Sequence, residues 1–333
     1  MQRVSCIDIG TVTGRLAIAD VENDRVLRMA KQTTICDLGE GLSATGRISD
    51  AARERVVSCV DAYLTAVRST GTPVVCCTLT SAARDAENAD ELLDALAARG
   101  IEPQIIPGEV EGKLTFLGMA QDFQGSAILA ADNGGGSTEF ALGKLENGAI
   151  DLAFVRSFDV GCRRVTERFL SEEESGIPTP EALAAAHEFA AELFSPVAEM
   201  VAESAMKPER LIACGGTVTS LIAMDAHLVP YDSSFVHLSE LTLEQVDRME
   251  AQLARMEVAE RALIAGLQPK RAAVILGGTI AVSEILRATG FDRLTVSESD
   301  LLFGLAITMA AVAEGKESPV GWMPTLTRLY GER

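Results

Sequence analysis

Apolar and polar positions follow two rhythms along this chain. Short apolar runs at 4–9 (VSCIDI), 15–19 (RLAIA), 25–29, 73–79 (PVVCCTL) and 101–106 (IEPQII) have the length of strands. Between them, Val56, Val57, Val60, Leu64 and Val67 recur at helical spacing. Ser49 or Asp50 can cap that helix, and Gly71 closes it. Residues 85–99 read as a helix closed by Gly100, and 111–120 as another. The rhythm then restarts: an apolar strand at 126–131 (SAILAA), the turn DNGGGST, and a further strand from 139–142 (EFAL). Thr179 and Pro180 open a helix that Pro196 kinks or ends. Residues 210–214 (RLIAC) are a strand running into Gly215-Gly216-Thr217, and Thr242 with Gln245 has capping-box spacing for a helix to about Arg255. Residues 272–276 (AAVIL) read as one more strand before Gly277-Gly278-Thr279. The alternation predicts the α/β class.

The two openings align weakly. IDIGTVTGRLAIA (7–19) and ADNGGGSTEFALG (131–143) place Asp8 with Asp132, Gly10 with Gly134, Thr13 with Ser137 and Leu16 with Phe140. Two strand–turn–strand patterns can match by chance; a true repeat would mean two similar domains whose loops line a cleft. The short polar stretch 121–126 (QDFQGS) marks the boundary. The expected domains are 1–123 and 124–333, with the C-terminal helix free to pack back on the first.

Composition narrows the function. A chain of 333 residues suits about two domains. Lys and Arg number 29 against 48 Asp and Glu, a net charge of −19, which argues against nucleic-acid binding and docking on an anionic membrane. No apolar run approaches a membrane span, and Asp8 interrupts the first apolar stretch too early for a signal peptide. The seven cysteines lack C-x-x-C spacing and are odd in number, so neither a disulfide framework nor a structural zinc site is expected. Buried thiols in a reducing cytoplasm are the expectation. The three histidines are scattered.

Glycine-bearing turns follow apolar strands at 8–14, 132–138 and 215–219. Glycine lets backbone N–H groups converge on an anion, and hydroxyls at Thr11, Thr13, Ser137, Thr138, Thr217 and Thr219 can add donors. Asp8 and Asp132 at two strand ends would suit a partly hydrated Mg2+ bridging to phosphate, or would each brace its own turn. Glu109 and Glu111 could position a water, or simply complement a helix N-terminus. Arg15, Arg84, Lys113, Arg163, Arg164, Lys270 and Arg271 lie in or beside these segments, and guanidinium groups grip phosphate bidentately. The acidic run 172–174 reads as a solvated helix face.

Eight ordered blocks carry a resemblance. DLGEGL (37–42), TSAARDAEN (80–88), PGEVEGKLTFLG (107–118), DNGGGSTEF (132–140), SFDVGCRRVTERF (157–169), GGTVTSL (215–221), VHLSELTLEQV (236–246) and GLQPKRAAVILGG (266–278) resemble the exopolyphosphatase / guanosine pentaphosphate phosphohydrolase family. The resemblance implies two actin-like α/β domains of the sugar-kinase and Hsp70 type around an interdomain cleft, in the family's short two-domain form. It implies a cytoplasmic hydrolase linked to the stringent response, with Mg2+ or Mn2+ as cofactor and room for a homodimer. Glu111 matches the family's general base and Arg84 a phosphate-contacting arginine. Asp132 lies close to the metal, Glu139 is the loop's terminal acid, and Asp8 joins them as a metal ligand. Gly134, Gly135, Gly136, Ser137 and Thr138 would cradle the terminal phosphate. Gly10, Thr11, Thr13, Gly215, Gly216 and Thr217 would add to the phosphate site, with Arg15 and Arg271 gripping the anion.

Some positions depart from the family pattern. Val12 stands where an amide side chain is usual, Asp37 where an arginine is, Asn133 where an isoleucine is, and Leu302-Phe303 where Arg-Glu is. The expected activity is hydrolysis of the terminal phosphoanhydride of inorganic polyphosphate. The alternatives are guanosine pentaphosphate hydrolysis, a non-hydrolysing sensor of polyphosphate or an alarmone, and an ATP-dependent kinase of the same superfold.

Overall fold

The structure is a computed structural model that describes residues 1–170 and 177–329; the acidic run 172–174 lies outside the described residues. The chain opens with three antiparallel strands, β1 (Gln2–Ile9), β2 (Thr13–Glu22) and β3 (Arg25–Ile35). After a short helix α1 (Leu42–Thr45), Ser49 caps α2 (Asp50–Ser69) by accepting from the Ala52 N–H. Val56, Val60, Leu64 and Val67 face the sheet from α2, as their spacing predicts. Strand β4 (Val74–Leu79) then pairs parallel with β1.

The helix expected over 85–99 forms as α4 (Ala89–Ala97), and a separate short helix, α3 (Ser81–Asp85), precedes it. The break has a cause in Asn88, whose buried side chain bonds both the N–H and the C=O of Ile48. A side chain that serves another segment's backbone favours a cap position over a helix interior. Strand β5 (Pro103–Ile105) pairs with β4, and α5 (Gly108–Met119) follows.

A second sheet begins at β6 (Ile128–Asn133), with β7 (Thr138–Glu146) antiparallel to it, and then β8 (Ala149–Phe158), which the pattern did not reveal. A short helix α6 (Cys162–Val165) leads on to α7 (Pro180–Glu203), capped by Thr179 and running unbroken through Pro196. Strand β9 (Arg210–Cys214) pairs parallel with β6 and feeds α8 (Gly216–Asp225). Then come α9 (Ser233–Val236), β10 (Glu240–Thr242), α10 (Leu243–Leu253), α11 (Val258–Arg261), α12 (Ile275–Thr289), β11 (Arg293–Val296), α13 (Leu301–Ala313) and β12 (Thr327–Arg328). The capping box of Thr242 and Gln245 is formed at the start of α10.

The expected strand at 272–276 is absent: Ile275 and Leu276 begin α12. This helix is buried on all sides, so it has no polar stripe to betray its period. Gly277 and Gly278 are packing positions within it; a Cβ there would lie 2.5 Å from Thr166 Oγ1 and 2.2 Å from Thr217 Oγ1, respectively.

The chain forms two compact units: Met1–Gln121 with Glu146–Ile150 and the segment from Leu301 on, and Asp122–Leu145 with Asp151–Asp300. Their sheets run β12-β4-β1-β2-β3, with β5 also on β4, and β10-β11-β9-β6-β7-β8. Each is therefore a hairpin flanked by a parallel strand on the side of its first strand. In the first unit Ile7, Ile9, Tyr63 and Leu92 centre the core. In the second, Phe140, Phe158 and Phe194 meet edge to face at centroid distances of 5.3–5.9 Å.

Candidate functional site

In the first unit, Asp8 at the end of β1 stands opposite Arg15 of β2. Arg15 Nη2 donates to Asp8 Oδ2 at 2.6 Å and Nε at 3.1 Å, while Thr78 Oγ1 of β4 donates to Oδ1 at 3.1 Å. Asp8 is 1% exposed, so this carboxylate is already neutralised inside the protein. The loop between the strands closes through Gly10 N–H to Thr13 C=O at 2.9 Å. Gly39 N–H holds the Thr11 carbonyl, and Cys36 and Asp37 N–H hold that of Val12.

The same unit joins Arg84 of α3 to Glu111 in the first turn of α5. Arg84 Nη1 donates to Glu111 Oε2 at 2.7 Å and to the Ile106 carbonyl at 2.8 Å. Glu111 is only 8% exposed. Glu109, by contrast, has 62% of its side chain in solvent and pairs with Lys113 at 2.8 Å. One acid of the pair thus decorates the helix surface, and the other is buried and aimed by a guanidinium.

The second unit repeats the hairpin with different charges. Asp132 of β6 faces Glu139 of β7 at the register position where Asp8 faces Arg15. Both carboxylates are buried. Ser137 Oγ and Ser157 Oγ each donate to Glu139 Oε1 at 2.7 Å. The loop closes through Gly134 N–H to Ser137 C=O at 3.0 Å. Its Gly134 carbonyl accepts from Cys162 N–H, and its Gly135 carbonyl from Arg163 and Arg164 N–H. The peptide N–H groups of Gly135, Gly136 and Ser137 meet no protein acceptor among the described residues. Carbonyls tied back and amides left over are the arrangement that an anion-binding nest requires. Thr138 works inside the protein: its hydroxyl donates to the Val160 carbonyl at 2.6 Å and accepts from Asn133 Nδ2 at 2.9 Å.

The third turn belongs to this unit as well. Gly215 takes φ +111°, and a Cβ there would lie 2.2 Å from the Asn133 carbonyl oxygen. Its neighbour Gly216 starts α8, with the Arg271 guanidinium so close that a Cβ would meet Nη1 at 2.0 Å. A guanidinium over the N-terminus of a ten-residue helix puts two positive features at one point. The Thr217 side chain is buried against Gly278.

Among the described residues no group of three or more His, Cys, Asp or Glu is arranged to hold a metal. Mg2+ needs no such cage, since it keeps several waters and binds through one or two carboxylates plus phosphate oxygens. The Asp132–Glu139 pair beside the amide nest has that donor chemistry.

The pairs Asp8–Arg15, Arg84–Glu111, Asp132–Glu139 and Gly216–Arg271 are thus each assembled within one unit. Thr78 and Ser157, which hold Asp8 and Glu139, had no signal in spacing, although Ser157 lies in a resembling block.

Residues 17–311 match the model of the Ppx/GppA phosphatase family. A relative named exopolyphosphatase 2, from Mycobacterium tuberculosis, is 33% identical over 326 residues, covering 93% of this chain and 99% of the relative. The crystal structure of an exopolyphosphatase from Cytophaga hutchinsonii superposes with a TM-score of 0.81 at 26% identity, over 96% of this chain and 100% of that one. The Aquifex aeolicus member of the Ppx/GppA family gives 0.75 at 28% identity, over 95% and 99%. The fold is the actin-like two-domain fold of those structures. With its ordered motifs, its repeated hairpin and this match over most of its length, the chain belongs to the Ppx/GppA phosphatase family, a group of phosphoanhydride hydrolases.

Proposed function

We propose that this protein hydrolyses the terminal phosphoanhydride of inorganic polyphosphate with a divalent cation, releasing orthophosphate. The observation that carries this reading is the amide nest at Gly135–Ser137 beside two facing carboxylates. It offers donors for phosphate oxygens and an anionic seat for a cation at one place. Asp132 and Glu139 would hold Mg2+ or Mn2+, which supplies charge neutralisation on the phosphoryl oxygens. Glu111 orients a water and accepts its proton as the water oxygen bonds to the terminal phosphorus. The bridging oxygen leaves with the shortened chain. Arg84 fixes the Glu111 carboxylate and Arg271 binds substrate oxygens, so catalysis rests on positioning and electrostatics without a covalent intermediate.

A second reading, hydrolysis of guanosine pentaphosphate, draws on Tyr231. It is 47% exposed. Burial of its hydroxyl, with Glu298 alongside, pushes its pKa up, while Thr219 and Arg271 act the other way. An aromatic ring beside that turn gives a base a surface to stack on. The seven buried free thiols support a reducing compartment, the cytoplasm, as the place of action.

Phosphate release from long polyphosphate, guanosine pentaphosphate and ATP, each with Mg2+ and with Mn2+, tests both readings. Release from polyphosphate at the highest kcat/KM is expected. Preference for guanosine pentaphosphate selects the second reading, and binding without release in either metal selects a sensor.

A further inference from the structure

The geometry points to Arg164 as a positioning residue that sets the direction of one amide in the phosphate nest, a role that rests on the function proposed above. A trans peptide is planar, so its C=O and N–H point opposite ways. Whatever holds the carbonyl of one loop residue inward therefore turns the next residue's N–H outward. The loop has three such peptides. Cys162 N–H holds the Gly134 carbonyl at 3.0 Å, which turns the Gly135 N–H outward. Arg163 and Arg164 N–H hold the Gly135 carbonyl at 2.9 and 3.2 Å, which does the same for Gly136. The Gly136 carbonyl is held by a side chain, Arg164 Nε at 2.8 Å, and that bond turns the Ser137 N–H outward.

The first two peptides are thus locked by backbone donors, while the third depends on one guanidinium. Glycine at 136 places little steric bar on rotation of that peptide. If it turned over, it would present a carbonyl oxygen where an anion should meet a donor. Arg164 is itself steered by Asp159, with Nη2 3.7 Å from Oδ1. The segment is also seated tightly on the loop: a Cβ on Gly161 would fall 2.4 Å from the Gly135 carbonyl carbon. The Ser137 hydroxyl is engaged with Glu139, so this residue's contribution to the nest is its N–H.

The test uses the full chain with Arg164→Met and Arg164→Lys. It measures kcat and KM for polyphosphate with Mg2+, the Kd of inorganic phosphate by calorimetry, and Tm. Arg164→Met should raise KM and the phosphate Kd about tenfold each, which is about 1.4 kcal/mol and the size of one lost hydrogen bond. The loop amides meet the phosphate in ground and transition states alike, so kcat should stay within about threefold. Arg164→Lys, which keeps a charged donor in a different geometry, should fall between Met and wild type. KM and Kd within about twofold of wild type in both variants would overturn the assignment, as would a fall in kcat alone. If Arg164→Met lowers Tm sharply, Arg164→Lys decides by the same criterion. A wild type that releases no phosphate from polyphosphate would overturn the proposed substrate, and the phosphate Kd would still judge Arg164. A wild type that binds no phosphate would overturn the role of Arg164.

Discussion

The two hairpins β1-β2 and β6-β7 share a backbone and differ in charge. Both close their loop with a glycine N–H on the carbonyl three residues on, at 2.9 and 3.0 Å. Both bury an aspartate at the end of the first strand. In the first unit the residue across from it is Arg15, which pairs with it; in the second it is Glu139, a second carboxylate. One backbone template therefore sets an acid against a base in one unit and two acids face to face in the other. The cross-strand residue decides which.

The comparison can be broken most severely at Glu111, which the account places in the first unit as the base. Glu111→Gln should cut phosphate release by about a thousandfold while leaving phosphate Kd within about twofold, because the nest belongs to the second unit. Stopped-assay release together with calorimetry would read this, and near-normal turnover would remove Glu111 from the reaction. Asp8→Asn removes the buried carboxylate that pairs with Arg15 and should lower stability by about 3 kcal/mol, read by denaturant unfolding.

A smaller difference lies in how the second unit's helices are joined. His187 on α7 meets Glu250 of α10 through Nε2 and Glu284 of α12 through Nδ1, both at 2.8 Å, and Arg287 also donates to Glu284. Hydrogen bonds to Glu250 and then Glu284 raise its pKa to about 9, against an ordinary 6.5. A raised folded-state value means stabilisation that is full below the unfolded pKa and fades as pH rises to about 9. The shift corresponds to about 3 kcal/mol. Denaturant midpoints from pH 6 to 10 should show that loss, and His187→Gln should flatten it. The smallest effect concerns the cap of α2: Ser49→Ala should cost about 1 kcal/mol in the same unfolding assay.

Much of the fold was legible because its signals are local. Ser49, Thr179 and the Thr242–Gln245 box each mark a helix start through contacts within three residues. Strand β8 left little signal because its inward positions are mostly only half-buried, and α12 because burial on every side erases amphipathic period. The Asn88 break needed a partner 40 positions away. Site residues were legible as ordered motifs, yet their states were not. Nothing in the spacing of EVEGK separates buried Glu111 from solvated Glu109; the Arg84 contact does. The direction of the loop amides depends on carbonyl partners at 162–164, a long-range fact that no local pattern carries.

The most direct measurement is Mn2+ binding in the presence of pyrophosphate, followed by electron paramagnetic resonance, in wild type, Glu139→Gln and Asp8→Asn. Glu139→Gln should weaken the ion at least tenfold, about 1.4 kcal/mol, while Asp8→Asn stays within about twofold. Weakening by Asp8→Asn with Glu139→Gln unchanged would contradict the account.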